Sequence, residues 1–274
     1  FMILPYMEET VLYNQVSAAS NKLEYEAFSI SGAKGAPFSV TLGGAMRHFA
    51  TIQLDEVACP SYGGQPVSTA SSGTAQPPVT IAAYAALFDG SASPPTGVAI
   101  SNYVALSATH LACMAFGPND PPTAAAEPPN GVIVPGSGLN MKSILDGTSN
   151  TLIVCETKEP AVNSWYDGTV CWTVGANPNA SSPPVRNSSG YWSFPAGTTN
   201  AGSLNYGPDK NTLFAPNGTT PAQTQPVSWG PSSDHTVVVH LAADASVHAI
   251  NPDIDPTLYI QLISRADREP ATIP

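Results

Sequence analysis

The sequence predicts an α+β fold that is mostly β, with a helix near each end and long irregular insertions between short strands. Three observations carry this. Apolar runs are short and stop at turn residues, as where Thr236 to Ala243 ends at Asp244-Ala245-Ser246. The 274 residues include 28 Pro and 22 Gly, which favour turns over long helices. Helical spacing is clearest at the two ends. The length suits one β-rich domain over residues 1–274 with an ample core.

In order along the chain, Ile3 to Val16 reads as a helix, with Pro5 in its first turn and Leu4, Met7, Val11 and Leu12 on one face. The start at Phe1-Met2-Ile3-Leu4 lies already inside that pattern and reads as a processed or truncated end. Ala36 to Gly43 is strand-like, and Ala50 to Ala58 alternates before Cys59-Pro60. Val79 to Phe88 fits either strand or helix, and Val98 to Leu106 reads as a strand. Gly117 to Gly138 is a Pro-rich loop. Residues 176–225 form a loop-rich insertion that includes an aromatic strand candidate, Tyr191 to Phe194. Thr236–Leu241 and Ser246–Ile250 pair as a hairpin turning at Asp244-Ala245. Asp255 then caps a last helix with Pro256 at its first position.

Charge narrows the function classes. Nine Lys+Arg against 20 Asp+Glu give a formal net charge of −11 and no basic cluster, so no nucleic-acid partner is expected. No run approaches the ~18 apolar residues of a membrane span. Four cysteines, Cys59, Cys113, Cys155 and Cys171, include no C-x-x-C. Cys155 and Cys171 fall on two strand-like runs, Thr151–Thr157 and Gly168–Val174; a hairpin between them would allow a disulfide, with two buried thiols as the other reading. Asn179, Asn187 and Asn217 head N-x-Ser/Thr sequons, candidate glycosylation sites in a region where chance alone supplies the pattern.

Four blocks carry a family resemblance. They are Leu4-Pro5-Tyr6-Met7-Glu8 with Leu12-Tyr13-Asn14-Gln15, then Cys59-Pro60-Ser61, then Asp146-Gly147-Thr148-Ser149-Asn150-Thr151 with Glu156. The last is Asp234-His235 followed by Ala243-Asp244-Ala245-Ser246-Val247, Asp255, Tyr259 and Arg265-Ala266. In this order they resemble a planctomycete family of pilin-like proteins with a C-terminal H-x9-D-G signature. The chain departs from it in three ways. Eight residues separate His235 from Asp244, Ala245 replaces the signature glycine, and Asp267-Arg268 replaces a terminal Gly-Gly. A turn needing φ > 0 at Ala245 would be strained. The resemblance implies a pilin- or pseudopilin-like head, an N-terminal helix packed on an antiparallel sheet, and a cell-surface location. It also implies a preceding hydrophobic helix as the only membrane contact.

Chemistry is weakly signalled. His235, His240 and His248 with Asp234 and Asp244 invite a metal reading, but His235 and His240 are an odd number apart and face opposite ways on a strand. No metal or cofactor is therefore expected. Asp146, Gly147, Ser149 and Asn150 read as a tight turn, and His235 and Asp244 as structural motif residues. No G-x-S-x-G, H-E-x-x-H or P-loop pattern occurs, so no catalytic residue is assigned and no enzyme is expected. The leading expectation is an extracellular structural subunit whose partner is itself, forming or decorating a cell-surface filament. The alternative is a glycan- or solute-binding module using the aromatics between Trp165 and Trp229.

Overall fold

A five-stranded sheet drawn from residues 103–250 organises the molecule. The computed structural model describes residues 4–19, 39–48, 52–64, 67–68, 98–114, 121–134, 138–158, 172–177, 180–205 and 230–274. The fold is α+β and mostly β. Its strands are β1 (Ser39–Leu42), β2 (Ala45–His48), β3 (Val67–Ser68), β4 (Val98–Ala99), β5 (Tyr103–Ala108), β6 (Leu152–Glu156), β7 (Trp172–Val174), β8 (Val185–Arg186), β9 (Trp192–Ser193), β10 (Val238–Ala242) and β11 (Val247–Ile250). The helices are α1 (Thr10–Ala19), a single turn α2 (Leu111–Met114) and α3 (Pro256–Gln261). No helix among the described residues is long and apolar enough to cross a membrane.

The main sheet runs β11-β10-β6-β5-β7, and β1-β2, β3-β4 and β8-β9 are small separate pairs. The β10–β11 hairpin forms as expected, with His240 opposite His248. The hairpin expected between the Cys155 and Cys171 runs does not. β5 lies between β6 and β7 and runs parallel to β7, so the sheet is mixed and not purely antiparallel. A parallel neighbour needs a crossover instead of a tight turn. Cys155 is buried in the core, and Cys171 lies outside the described residues.

The C-terminal helix, rather than the N-terminal one, fills the sheet's core face. Tyr259, Leu262 and Ile263 pack with Val104, Leu106, Leu152 and Val238 in one cluster. Ile260 joins Trp172, Val174 and Trp192 in a second. The Asp255 carboxylate accepts the Leu258 N–H at 2.8 Å, and Pro256 opens the helix, as the sequence predicts. In the loop before β6, Gly131 lies against β5. Its N–H donates to the Ser107 carbonyl at 2.9 Å, and a Cβ there would come within 2.6 Å of that oxygen. Arg265 pins the same loop by donating to the Pro129 and Gly131 carbonyls, each at 2.6 Å.

The N-terminal helix predicted over Ile3 to Val16 is broken. Leu4–Met7 is a 3₁₀ turn, Glu8 takes φ 62°, and the Glu9 N–H returns to the Leu4 carbonyl at 3.0 Å. That is a Schellman-type stop, with a Glu at the left-handed position that glycine usually fills. α1 then packs on the 3₁₀ turn and β1, tied by Gln15 to both the N–H and the carbonyl of Thr41 at 2.7 Å. In the run predicted to alternate from Ala50 to Ala58, the described part begins at Ile52; Ile52 and Leu54 are buried as expected, but a 3₁₀ turn follows at Asp55–Val57. Val79 to Phe88 lies outside the described residues, as do residues 206–225 of the insertion.

Candidate functional site

The two turn motifs lie side by side at one end of the sheet. At Gly147, φ is 93°, and a 3₁₀ turn Thr148–Asn150 follows, closed by Asn150 N–H to Gly147 O at 3.0 Å. The exposed Ser149 sits at the turn's tip. The Asp244 N–H donates to the Thr148 carbonyl at 3.1 Å and Ala243 N–H to Thr151 O at 2.9 Å, joining this turn to the β10–β11 turn. Asp244 accepts from the Ser246 N–H at 2.9 Å and from its hydroxyl at 2.6 Å, and these bonds hold its carboxyl below the usual carboxylate range. Asp146 reaches the C-terminal segment, accepting the backbone N–H of Asp267 at 3.2 Å and that of Arg268. These residues act as structural turns and a tether.

The chemistry-bearing cluster lies elsewhere. Cys59, Glu156 and His235 present a thiol, a carboxylate and an imidazole whose ligand atoms all lie within 4.8 Å of one another. Cys59 Sγ is 3.9 Å from His235 Nε2. Glu156 ends β6; because side chains alternate along a strand, it faces away from Cys155, which points into the core. Burial raises the Cys59 thiol above its ordinary value, and the nearby Glu156 carboxylate adds to this. Each of the three belongs to one of the motif blocks quoted above, which was the available signal. Reading the blocks one at a time missed their convergence.

A family model described as a protein of unknown function, DUF1559 (SBP_bac_10), matches residues 1–257. The chain belongs to that family. No curated protein and no solved structure matches it. In this DUF1559 chain the three histidines weighed as one metal set serve separate ends. His240 is buried and bonded to Tyr259 at 2.8 Å, His248 meets the Ser246 hydroxyl at 2.7 Å, and His235 stands beside Cys59.

The aromatics divide similarly. Trp172 and Trp192 are core residues of the DUF1559 chain, with Trp192 fully buried. Trp165, Tyr166 and Trp229 lie outside the described residues. Of the sequons, Asn187 is exposed in the β8–β9 turn, where its side-chain oxygen accepts from Ser189 N–H at 2.9 Å and Tyr191 N–H at 3.1 Å. Asn179 and Asn217 lie outside the described residues.

Proposed function

We propose that the chain is a structural, pilin-like head domain of the cell surface that associates with further copies of itself and has no catalytic role. The observation that carries this is the outer strand β11. Among the described residues it ends the sheet, pairs on one side with β10, and leaves Val247 66 % exposed. An edge strand offers a row of backbone donors and acceptors to another chain, and an apolar side chain on it favours pairing. Exposed Tyr6 and Val11 add apolar area at the N-terminal end, and charged residues make up only 11 % of the chain. Extracellular residence and the planctomycete, pilin-like character follow from the motif resemblance and are part of the same proposal.

Sedimentation velocity over a wide concentration range, with electron microscopy of the concentrated sample, tests it. Concentration-dependent polymers that Val247→Lys suppresses are expected. A chain that stays monomeric at every concentration overturns the reading.

A further inference from the structure

Three segments remote in sequence are clamped together around the Cys59, Glu156 and His235 side chains. One buried amide does much of the clamping. Asn102 Oδ1 accepts the Cys59 N–H at 2.9 Å while its Nδ2 donates to the Thr157 carbonyl at 3.0 Å, next to Glu156. The Glu156 carbonyl in turn accepts the Ser232 N–H at 3.0 Å, and Ser233 Oγ accepts the His235 N–H at 3.1 Å. The Glu156 residue is only 4 % exposed, and its Oε2 takes the Val239 N–H at a long 3.4 Å. A carboxylate shut away from water, with the Cys59 thiol and one long backbone N–H as donors, is well placed to take a positive partner.

We infer that Cys59, Glu156 and His235 form a binding site for a divalent cation of the zinc class. Thiolate, imidazole and carboxylate are the three ligand types zinc takes from proteins. Tetrahedral bonds of about 2.3 Å to sulfur and about 2.1 Å to nitrogen set those atoms about 3.6 Å apart. The observed 3.9 Å from Sγ to Nε2 needs a shift of a few tenths of an ångström. Thiolate and carboxylate together balance the ion's two charges. Binding releases the Cys59 proton to solvent and breaks no other bond. Because His235 is exposed, the fourth position faces water. The site would join β6 to the segments on either side and does not depend on assembly between copies.

The test uses the full chain, chelator-stripped and kept reduced, titrated with cobalt(II). A thiolate-to-cobalt charge-transfer band saturating at one ion per chain, and bleached by zinc, is expected. Cys59→Ser should abolish the band, and Cys113→Ser should leave it. Glu156→Gln and His235→Ala should each weaken cobalt binding by about tenfold or more, since even outer-shell changes cost about that much. Zinc should also raise the melting temperature of the parent chain and not that of Cys59→Ser. Circular dichroism confirms that each variant is folded. A folded, reduced chain with no band overturns the assignment. So does a band that survives Cys59→Ser, or cobalt affinity unchanged in Glu156→Gln.

Discussion

His240 Nε2 and the Tyr259 hydroxyl lie 2.8 Å apart inside the core, joining β10 to α3. The geometry fixes the tautomer. His240 Nδ1 lies 2.9 Å from the Val238 carbonyl, which can only accept, so Nδ1 carries the proton and Nε2 accepts from Tyr259. Burial disfavours the charged imidazolium and pushes the His240 pKa down to about 4. The unfolded chain, with an ordinary histidine, binds the proton more readily between about pH 6.5 and 4. Stability should therefore fall as pH drops through that window, by about 3 kcal/mol for the full shift at ~1.4 kcal/mol per unit. Urea denaturation at stepped pH measures it. In Tyr259→Phe, leaving Nε2 unpaired should cost about 1–3 kcal/mol at neutral pH.

Glu269 works in the opposite sense. Burial first, and then the nearby Asp267 and Asp146 carboxylates, push its pKa up to about 8. Here the folded state holds the proton more tightly, so the contribution is complete at acid pH and is lost as pH rises towards 8. The two slopes oppose each other between about pH 4.5 and 6.5, which puts the stability maximum at mildly acid pH. Glu269→Gln removes the alkaline loss. Because Glu269 shares its site with the Asp267 and Asp146 carboxylates, only part of the shift belongs to it alone, and the change should stabilise the chain by about 1–2 kcal/mol at pH 8 and little at pH 5. Equal effects at both pH values would exclude this origin.

Sequence legibility followed the range of the interactions. The Asp255-Pro256 cap and the turn at Asp244-Ala245 are written in adjacent residues, and both form where the pattern places them. Cys155 and the run before Val174 looked like hairpin partners, because nothing local reveals that β5 inserts between them. Of the N-terminal apolar stripe, Leu4 and Leu12 are buried but Val11 is exposed; periodicity is blind to the left-handed Glu8 that splits the helix. The Cys59–His235 contact spans 176 residues, beyond any spacing rule. Only the fold brings those side chains together.

Arg186 ties the middle insertion to the C-terminal segment. Its guanidinium donates to Glu127 at 2.5 Å and to Asp267 at 2.8 Å, and lies 4.7 Å from the centre of the Trp192 ring. Both carboxylates are mostly buried, with side-chain exposures of 15 % and 10 %. Arg186→Met keeps the packing stem and removes the charge. Two half-hidden carboxylates would then lack their cation, at a cost of about 2–3 kcal/mol once partial exposure of the arginine is allowed for. Chemical denaturation reads the loss. The pair Glu127→Gln with Arg186→Met should cost less than the sum of the single changes.

Two residues sit in left-handed backbone where the resembled signature has glycine. Ala245 has φ 70° in the β10–β11 turn, and Arg268 has φ 57° in the segment held by Asp146. A Cβ in this region costs about 1–2 kcal/mol, while glycine returns about 0.5–1 kcal/mol of that through the freer unfolded chain. Both side chains are exposed, so little packing is lost on removing them. Ala245→Gly and Arg268→Gly should therefore each stabilise the fold by roughly 0.5–1 kcal/mol. A side chain at Gly147, where there is room for a methyl group but φ 93° with ψ 133° is backbone that suits glycine alone, should destabilise by about 1–3 kcal/mol on backbone strain. Denaturant midpoints for the three variants decide it. If Ala245→Gly lowers the midpoint, the turn is not under strain and the departure from the signature carries no energetic cost.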